Sequence, residues 1–517
     1  MSSFIDEIFS IVGGAIDHCG WADKVATKLV IDKLVGSAPT RPHPWSTASD
    51  YTSWKSLTDK TYQARQLPAA NLVTVPAVDA VVALFKRPDG QQRLSDKSTC
   101  LFPAFAQYLT DGFIRTQSNP RDTSRTTSNH EIDLCPLYGR TEDQTNALRL
   151  FDSTPGRLGR LKSQIINDEE WSPYCYLPDG SALDPAFKAL DPPLGVENVP
   201  VGRLKTLFAI GGDRANSTPF TAMMNTLLLR EHNRVAGELE QLNPAWDDER
   251  VFQTARNIMI PMFINIVIEQ YINHITPAPF NLVSDPSVAW TANWNRPNWI
   301  TAEFSLLYRW HSLMPDEIQW PVATGPIALV NFGLDNGPLI AVGLQKAFLA
   351  AASQRSAELG LFNTNAALLM IEQFAILQGR SNRLASYNSY RAAYGMDPAQ
   401  DFSDISTNPE VVKLLKSVYG DVGKVEFYPG IFAEDRVDKS PLPALLMKMV
   451  GVDAFSQALT NPLLSKQVFN AATFTDWGLT LIKETHSLGD ILKRQGMTDT
   501  TAIVMTQPSW HYGWHRP

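Results

Sequence analysis

Apolar residues in this chain recur at helical spacing and almost nowhere alternate, and that property restricts the fold more than any single motif. From Tyr51 onward the periodic stretches read as helices joined by long irregular loops, with proline- and glycine-rich separators at Pro173 to Pro200 and Pro277 to Pro297. No run sustains the period-two pattern that a sheet needs, and no internal repeat is present. The expected fold class is therefore mainly α, a large helical domain with long loops. Thirteen tryptophans and 35 prolines suit such a body better than a regular bundle.

The 517 residues, 44% of them apolar, supply a large core. The reading divides them into residues 1–45, short amphipathic helices and a linker, and residues 46–517, one catalytic domain. In the first segment Ile5, Ile8, Phe9, Ile11 and Val12, then Val25, Leu29, Val30, Ile31 and Leu34, fall at helical spacing. Such faces either pack on the main body or meet a membrane or an apolar substrate. Pro39, Pro42 and Pro44 exclude a helix between Gly36 and Trp45.

A net charge of -8 leaves no basic surplus to neutralise phosphates, which excludes nucleic acid as the main partner. Cys19, Cys100, Cys135 and Cys175 are scattered without a metal-type or disulfide framework spacing, so reduced thiols are expected. The opening residues include Asp6 and Glu7 and no basic stretch, unlike a secretory signal. The apolar run Ile258 to Ile275 is interrupted by Pro261, Asn265, Glu269 and Asn273, which points to a buried helix rather than a membrane span. A cytoplasmic protein, at most peripherally membrane-associated, is the resulting expectation.

Four stretches carry possible chemistry. Leu307 to Asp316 sets Tyr308 and His311 three residues apart in a run that reads as helix up to Pro315, which would place both on one face. A neutral imidazole is a common haem iron ligand. The same pair also fits a buried tyrosine and a capped histidine. Gln107 and Asp111 share a face of an otherwise apolar helix (Phe102, Phe105, Leu109, Phe113), where an Asp is costly unless paired or used. Gly211-Gly212-Asp213-Arg214 is a loop able to project an arginine ahead of the helix that contains His232, itself read as a structural residue. Asn129 to Gly139 is the fourth stretch. The two histidines of the tail, His511 and His515, leave a metal-binding reading open beside a docked or exposed tail.

Arg230-Glu231-His232-Asn233-Arg234-Val235-Ala236, His130-x-x-Asp133-Leu134-x-x-x-Tyr138-Gly139 and Tyr308-x-Trp310-His311-x-Leu313-x-Pro315-Asp316 resemble the signatures of the animal-type haem peroxidase and cyclooxygenase superfamily. Tyr387 to Arg391, Tyr419-Gly420-Asp421 and Glu426 to Gly430 are similar to the C-terminal half of its cyclooxygenase branch. The resemblance runs from about Tyr51 to Lys483. It implies that His311 is the proximal iron ligand, that Tyr308 is the phenol that becomes a radical, and that Gln107 lies on the distal side. Arg214 matches the distal arginine of the peroxidase branch. Asp111 stands where the family carries its distal histidine, the residue that moves a proton between peroxide oxygens; a carboxylate with Arg214 beside it can do the same work.

Thr110, Ser217 and Thr218 occupy positions where myeloperoxidase-type enzymes attach haem, and Gly112 replaces a calcium-binding Asp. The resemblance thus implies non-covalent haem b and no calcium. Ser456, with Phe455 beside it, falls near the serine of the cyclooxygenase channel, though an ordinary helix residue is an equal reading. Lys33 or Arg41 are the candidates to hold a substrate carboxylate. The implied function is a dioxygenase acting on an unsaturated fatty acid and O2 after activation by peroxide, giving a hydroperoxide. A peroxidase of small organic substrates and a degenerate haem-binding protein are the rivals. A homodimer and peripheral membrane contact stay open.

Overall fold

The computed structural model describes residues 20–36, 58–70, 74–118, 120–278, 280–295, 298–321 and 323–510. The periodic runs from Phe4 to Cys19, the linker with Arg41, and the histidines of the tail lie outside the described residues. Seven helices position the site: α1 (Gly20–Gly36), α2 (Leu101–Asp111), α3 (Pro219–Leu242), α4 (Asp248–Ile266), α5 (Leu369–Ser381), α6 (Ala444–Leu459) and α7 (Ala471–Lys483). As expected, strands are short. Four two-stranded antiparallel ribbons are present among the described residues, one of which, Leu94–Thr99 with Arg355–Ala357, leads into α2.

α3 starts where its sequence dictates. Thr218 caps it in a reciprocal pairing with Thr221, and Pro219 occupies the first turn, where its missing N–H is no loss. The helix packs on α2 and α4, and α4 packs in turn on α7. Beyond α4 the chain continues as a π-helical segment, Val267–Ile272. The whole stretch Asp248–Ile275 is long and apolar enough to cross a membrane, but 83% of its most apolar window is buried inside the protein. It is the core helix read from the sequence, and Pro261 lies within it without ending it.

An aromatic cluster ties α2, the π segment and the His311 turn together. Phe102 stacks with Tyr271 at 5.6 Å and lies 5.5 Å from Trp310. Trp310 stacks on Tyr308 at 4.9 Å, and Tyr308 meets Phe304 at the same separation. Rings in such offset and tilted contacts add attraction beyond the area they bury.

The helix expected through Tyr308 and His311 is not continuous. A short helix, Phe304–Leu307, ends at Tyr308 (φ -101, ψ 25), and a 3-10 turn begins at His311. Side chains take over two carbonyls that a continuing helix would use: Arg309 Nε donates to Ser305 O at 3.0 Å, and Trp310 Nε1 donates to Leu307 O at 2.6 Å. Tyr308 and His311 are therefore set by a packed turn rather than by a helix face.

Candidate active site

α2 is buried along its length except at Gln107 and Thr110, which are half-buried. Tyr308, Arg309 and His311 are likewise partly open, amid buried neighbours. Partly accessible polar groups amid buried neighbours are the ones within reach of a ligand.

On the His311 side, Nδ1 lies 3.2 Å from the carboxylate of Glu372 on α5. That leaves Nε2, the opposite ring nitrogen, for a ligand. Arg309 is near enough to Arg214 for their charges to repel, and burial together with Arg214 lowers its pKa to about 10. It remains a cation at neutral pH. Both guanidinium groups also serve the protein, Arg309 donating to Ser305 O and Gln378 and Arg214 to Ile114 O.

Asp111 is 1% exposed, and burial raises its pKa, with Arg115 and then Arg214 opposing. Its Oδ1 accepts from Arg115 Nη1 at 2.9 Å, and the same guanidinium nitrogen donates to Asp213 at 2.7 Å. The expected guanidinium pairing of Asp111 with Arg214 is thus replaced by Arg115. Arg214 meets Asp111 through its backbone, while its guanidinium donates to Ile114 O at 2.6 Å. The reason is reach: Arg115 follows Asp111 by one helical turn, the spacing at which side chains meet.

The Gly211-Gly212 pair makes this arrangement possible. A Cβ on Gly211 would strike the backbone at Gly139 and Cys135, and one on Gly212 would strike the Asp111 carboxylate. Gly212→Ala is accordingly expected to displace Asp111 and lower stability by about 1–3 kcal/mol, read by urea unfolding. A variant as stable as the parent would show that the loop yields freely.

Tyr308 has a second tyrosine against it. Tyr271, fully buried on the π segment, interacts with the Tyr308 phenol but forms no hydrogen bond of regular geometry. Burial raises the Tyr308 phenol above its ordinary pKa, the charge of Asp453 adds to that, and the Tyr271 hydroxyl opposes it. Asp453 lies on α6 and is fully buried. Both residues were missed by sequence reasoning. The break in regular α geometry that turns Tyr271 inward is a conformational feature often found at functional sites. A lone Asp in the apolar run Val450 to Phe455 was the available signal for Asp453.

Other expected residues fall elsewhere. Ser456 is buried and donates to Asp453 O at 3.1 Å, the ordinary helix role, and Phe455 packs in the core. Lys33 lies exposed on α1, so the structure does not place it in a buried channel. The signature around His130 is scaffold. His130 Nδ1 accepts the Ile300 N–H at 2.7 Å and the ring stacks on Trp299, and burial holds its pKa near 4. His232 accepts from the Tyr138 hydroxyl and donates to Gly159 O, with its pKa also lowered to about 4 by burial. Thr110, Ser217 and Thr218 spend their hydroxyls on local bonds to Gln107 O, Arg214 O and the α3 cap.

A large helical body with a partly accessible imidazole at His311 and a glutamine and a buried carboxylate on α2 carries residue types that a haem-dependent oxidoreductase uses. The chain belongs to the animal haem peroxidase family, whose model matches residues 43–507. It is 30% identical to prostaglandin G/H synthase 1 of Rattus norvegicus over 467 residues, 87% of this chain and 73% of that one. It is also 30% identical to prostaglandin G/H synthase 2 of Equus caballus over 455 residues, 85% and 71% of the two chains. Among solved structures, a fatty acid alpha-dioxygenase of Oryza sativa superposes with TM-score 0.70 at 14% identity, covering 98% of this chain and 96% of that one. Peroxidase A of Dictyostelium discoideum gives 0.66 at 19% identity, covering 87% and 94%. The structural likenesses establish the all-helical fold. The family-level activity of the relatives is haem-dependent oxygenation of fatty acids.

Proposed function

We propose that the chain is a haem-dependent dioxygenase of unsaturated fatty acids that works through a radical at Tyr308. The observation that carries this reading is the placement of Tyr308: three residues before His311, partly accessible, and backed by Tyr271, Phe304 and Trp310. His311 would hold a non-covalent haem b, with Gln107 and Asp111 from α2 on the other side. When bound, and after reaction with a peroxide, that group supplies the one-electron oxidant for the phenol.

Tyr308 then loses an electron and its hydroxyl proton. Its oxygen takes a hydrogen atom from an allylic or bisallylic carbon, restoring the O–H. O2 adds to the carbon radical. The peroxyl product takes a hydrogen atom back from Tyr308, leaving a hydroperoxide and a renewed radical. Asp111, tied to Arg115 and shielded by Gly212, is poorly placed to shuttle protons in peroxide cleavage, so peroxidase turnover is expected to be weak.

The test is oxygen consumption by haem-loaded protein given linoleate or oleate, with and without a trace of hydroperoxide. Uptake that outlasts the primer supports the reading. Guaiacol turnover without oxygen uptake assigns the site to peroxidase chemistry instead, and failure of both favours a haem-binding protein without turnover.

The same reading includes peripheral membrane contact through α1. Trp21, Val25 and Leu29 are 73%, 41% and 55% exposed at successive four-residue steps, one stripe across the helix from the buried Thr27 and Ile31. Lys24 and Lys28 are interleaved with them, Lys28 paired with Asp32 at 2.9 Å, so Lys24 is the cation this face offers an anionic interface. Each large side chain buried in lipid is worth about 1.5–3 kcal/mol. Trp21→Ser with Leu29→Ser should therefore weaken binding to anionic vesicles at least about tenfold, measured by co-sedimentation. Equal binding would remove α1 from this role.

A further inference from the structure

One buried carboxylate at the site has no part in the scheme above. Glu372 is 1% exposed on α5. Its Oε1 accepts from the Thr364 hydroxyl at 3.0 Å, and its Oε2 accepts from the Tyr428 hydroxyl. The third group against it is His311, whose Nδ1 lies 3.2 Å from Oε1 and is buried with no hydrogen bond of its own. Arg309, two residues before His311, is close enough to Glu372 and Tyr428 for its charge to interact with both.

A buried carboxylate is costly to keep unless its oxygens are satisfied, and two hydroxyl donors and a nearby cation satisfy it here as an anion. What remains unsatisfied in the cluster is the His311 Nδ1. We propose that Glu372 is a positioning residue for His311: it accepts the Nδ1–H and fixes the ring with Nε2 presented to haem iron, making the imidazole a stronger electron donor. This rests on the assignment of His311 as the iron ligand. Carboxylates commonly serve metal-bound histidines in this way, setting the tautomer and raising ligand basicity.

The arrangement also bears on the distal side. Asp111 is held by Arg115 and stands where relatives of this fold place a proton-shuttling histidine. A bound haem with a more strongly donating His311 would supply more of the push for peroxide cleavage, the task for which Asp111, held by Arg115, is poorly placed. Thr364 and Tyr428 tune that donor. Each hydrogen bond they give Glu372 withdraws charge from the carboxylate that faces His311, so losing one strengthens the pull on Nδ1–H.

The experiment compares haem-loaded parent, Glu372→Gln and Tyr428→Phe by ferric/ferrous reduction potential and by the iron–imidazole stretching band of the ferrous protein. Glu372→Gln should shift the potential positive and the band to lower frequency, with haem content unchanged. Tyr428→Phe should move both in the opposite direction, a sign that loss of packing alone does not produce. His311→Ala, as a control, should lose the band. If it does and the two variants keep parent values, the proposal falls while the ligand assignment stands. If His311→Ala retains the band, the ligand assignment falls and the proposal with it.

Discussion

Tyr308→Phe is expected to reduce fatty-acid oxygen uptake to background while haem stays bound. Phenylalanine keeps the ring that packs 4.9 Å from both Phe304 and Trp310, so the turn that presents His311 survives the change. What is lost is one O–H, the bond that on the proposed scheme breaks to make the radical and re-forms when hydrogen is taken from substrate. Among the described residues, Tyr271 is the other phenol that adjoins Tyr308, but it is fully buried. Residual uptake in the single variant would identify Tyr271 as a second radical site, and Tyr308→Phe with Tyr271→Phe would then remove it. The decisive measurements are an oxygen electrode trace with linoleate and hydroperoxide primer, and the haem absorption spectrum of the same sample. A spectrally normal and fully active variant would sink the radical scheme.

How far the site could be read from sequence depends on the distance over which its signals act. Tyr308 with His311, and Gln107 with Asp111, stand out in the sequence because each pair lies within one turn, where spacing and residue type carry chemical meaning. Even there the reading erred in form. Periodicity reports apolar positions, and it did not register that Arg309 and Trp310 would cap carbonyls and end the helix at Tyr308. Arg115 was within reach of the same rule, since it follows Asp111 by four residues, but Arg214 drew the assignment through family likeness.

Tyr271, Glu372 and Asp453 come from the π segment, α5 and α6, each distant in sequence from the stretch it serves, and nothing local in a single sequence joins them to Tyr308 or His311. The fold class was easier. Helical spacing without alternation acts over the whole chain, and the four short ribbons do not alter it.

Arg115→Met has the largest expected effect on stability. Arg115 is 4% exposed and Asp111 1%, and they are joined at 2.9 Å. Removing one partner of a buried ion pair leaves the other charge uncompensated, a loss of about 3–5 kcal/mol. Asp213 and Asp191, the other carboxylates on this guanidinium, are more open to water and contribute less.

The loss should depend on pH with a definite sign. Burial already raises the Asp111 carboxyl above its ordinary value of 3.8, and the guanidinium opposes that rise. In the variant the folded-state pKa climbs further. A group whose folded pKa exceeds its unfolded one has its full stabilising contribution below the unfolded value and loses it as pH rises through the folded value. The deficit of Arg115→Met relative to the parent should therefore be smallest near the ordinary carboxylate pKa and grow toward neutral pH. Asp111→Asn in the same background removes the stranded charge and should recover most of the loss. Urea unfolding of the three proteins at matched pH values is the check. A deficit independent of pH, or one that Asp111→Asn leaves unchanged, would place the energy of this cluster in packing rather than in the charge that Arg115 holds.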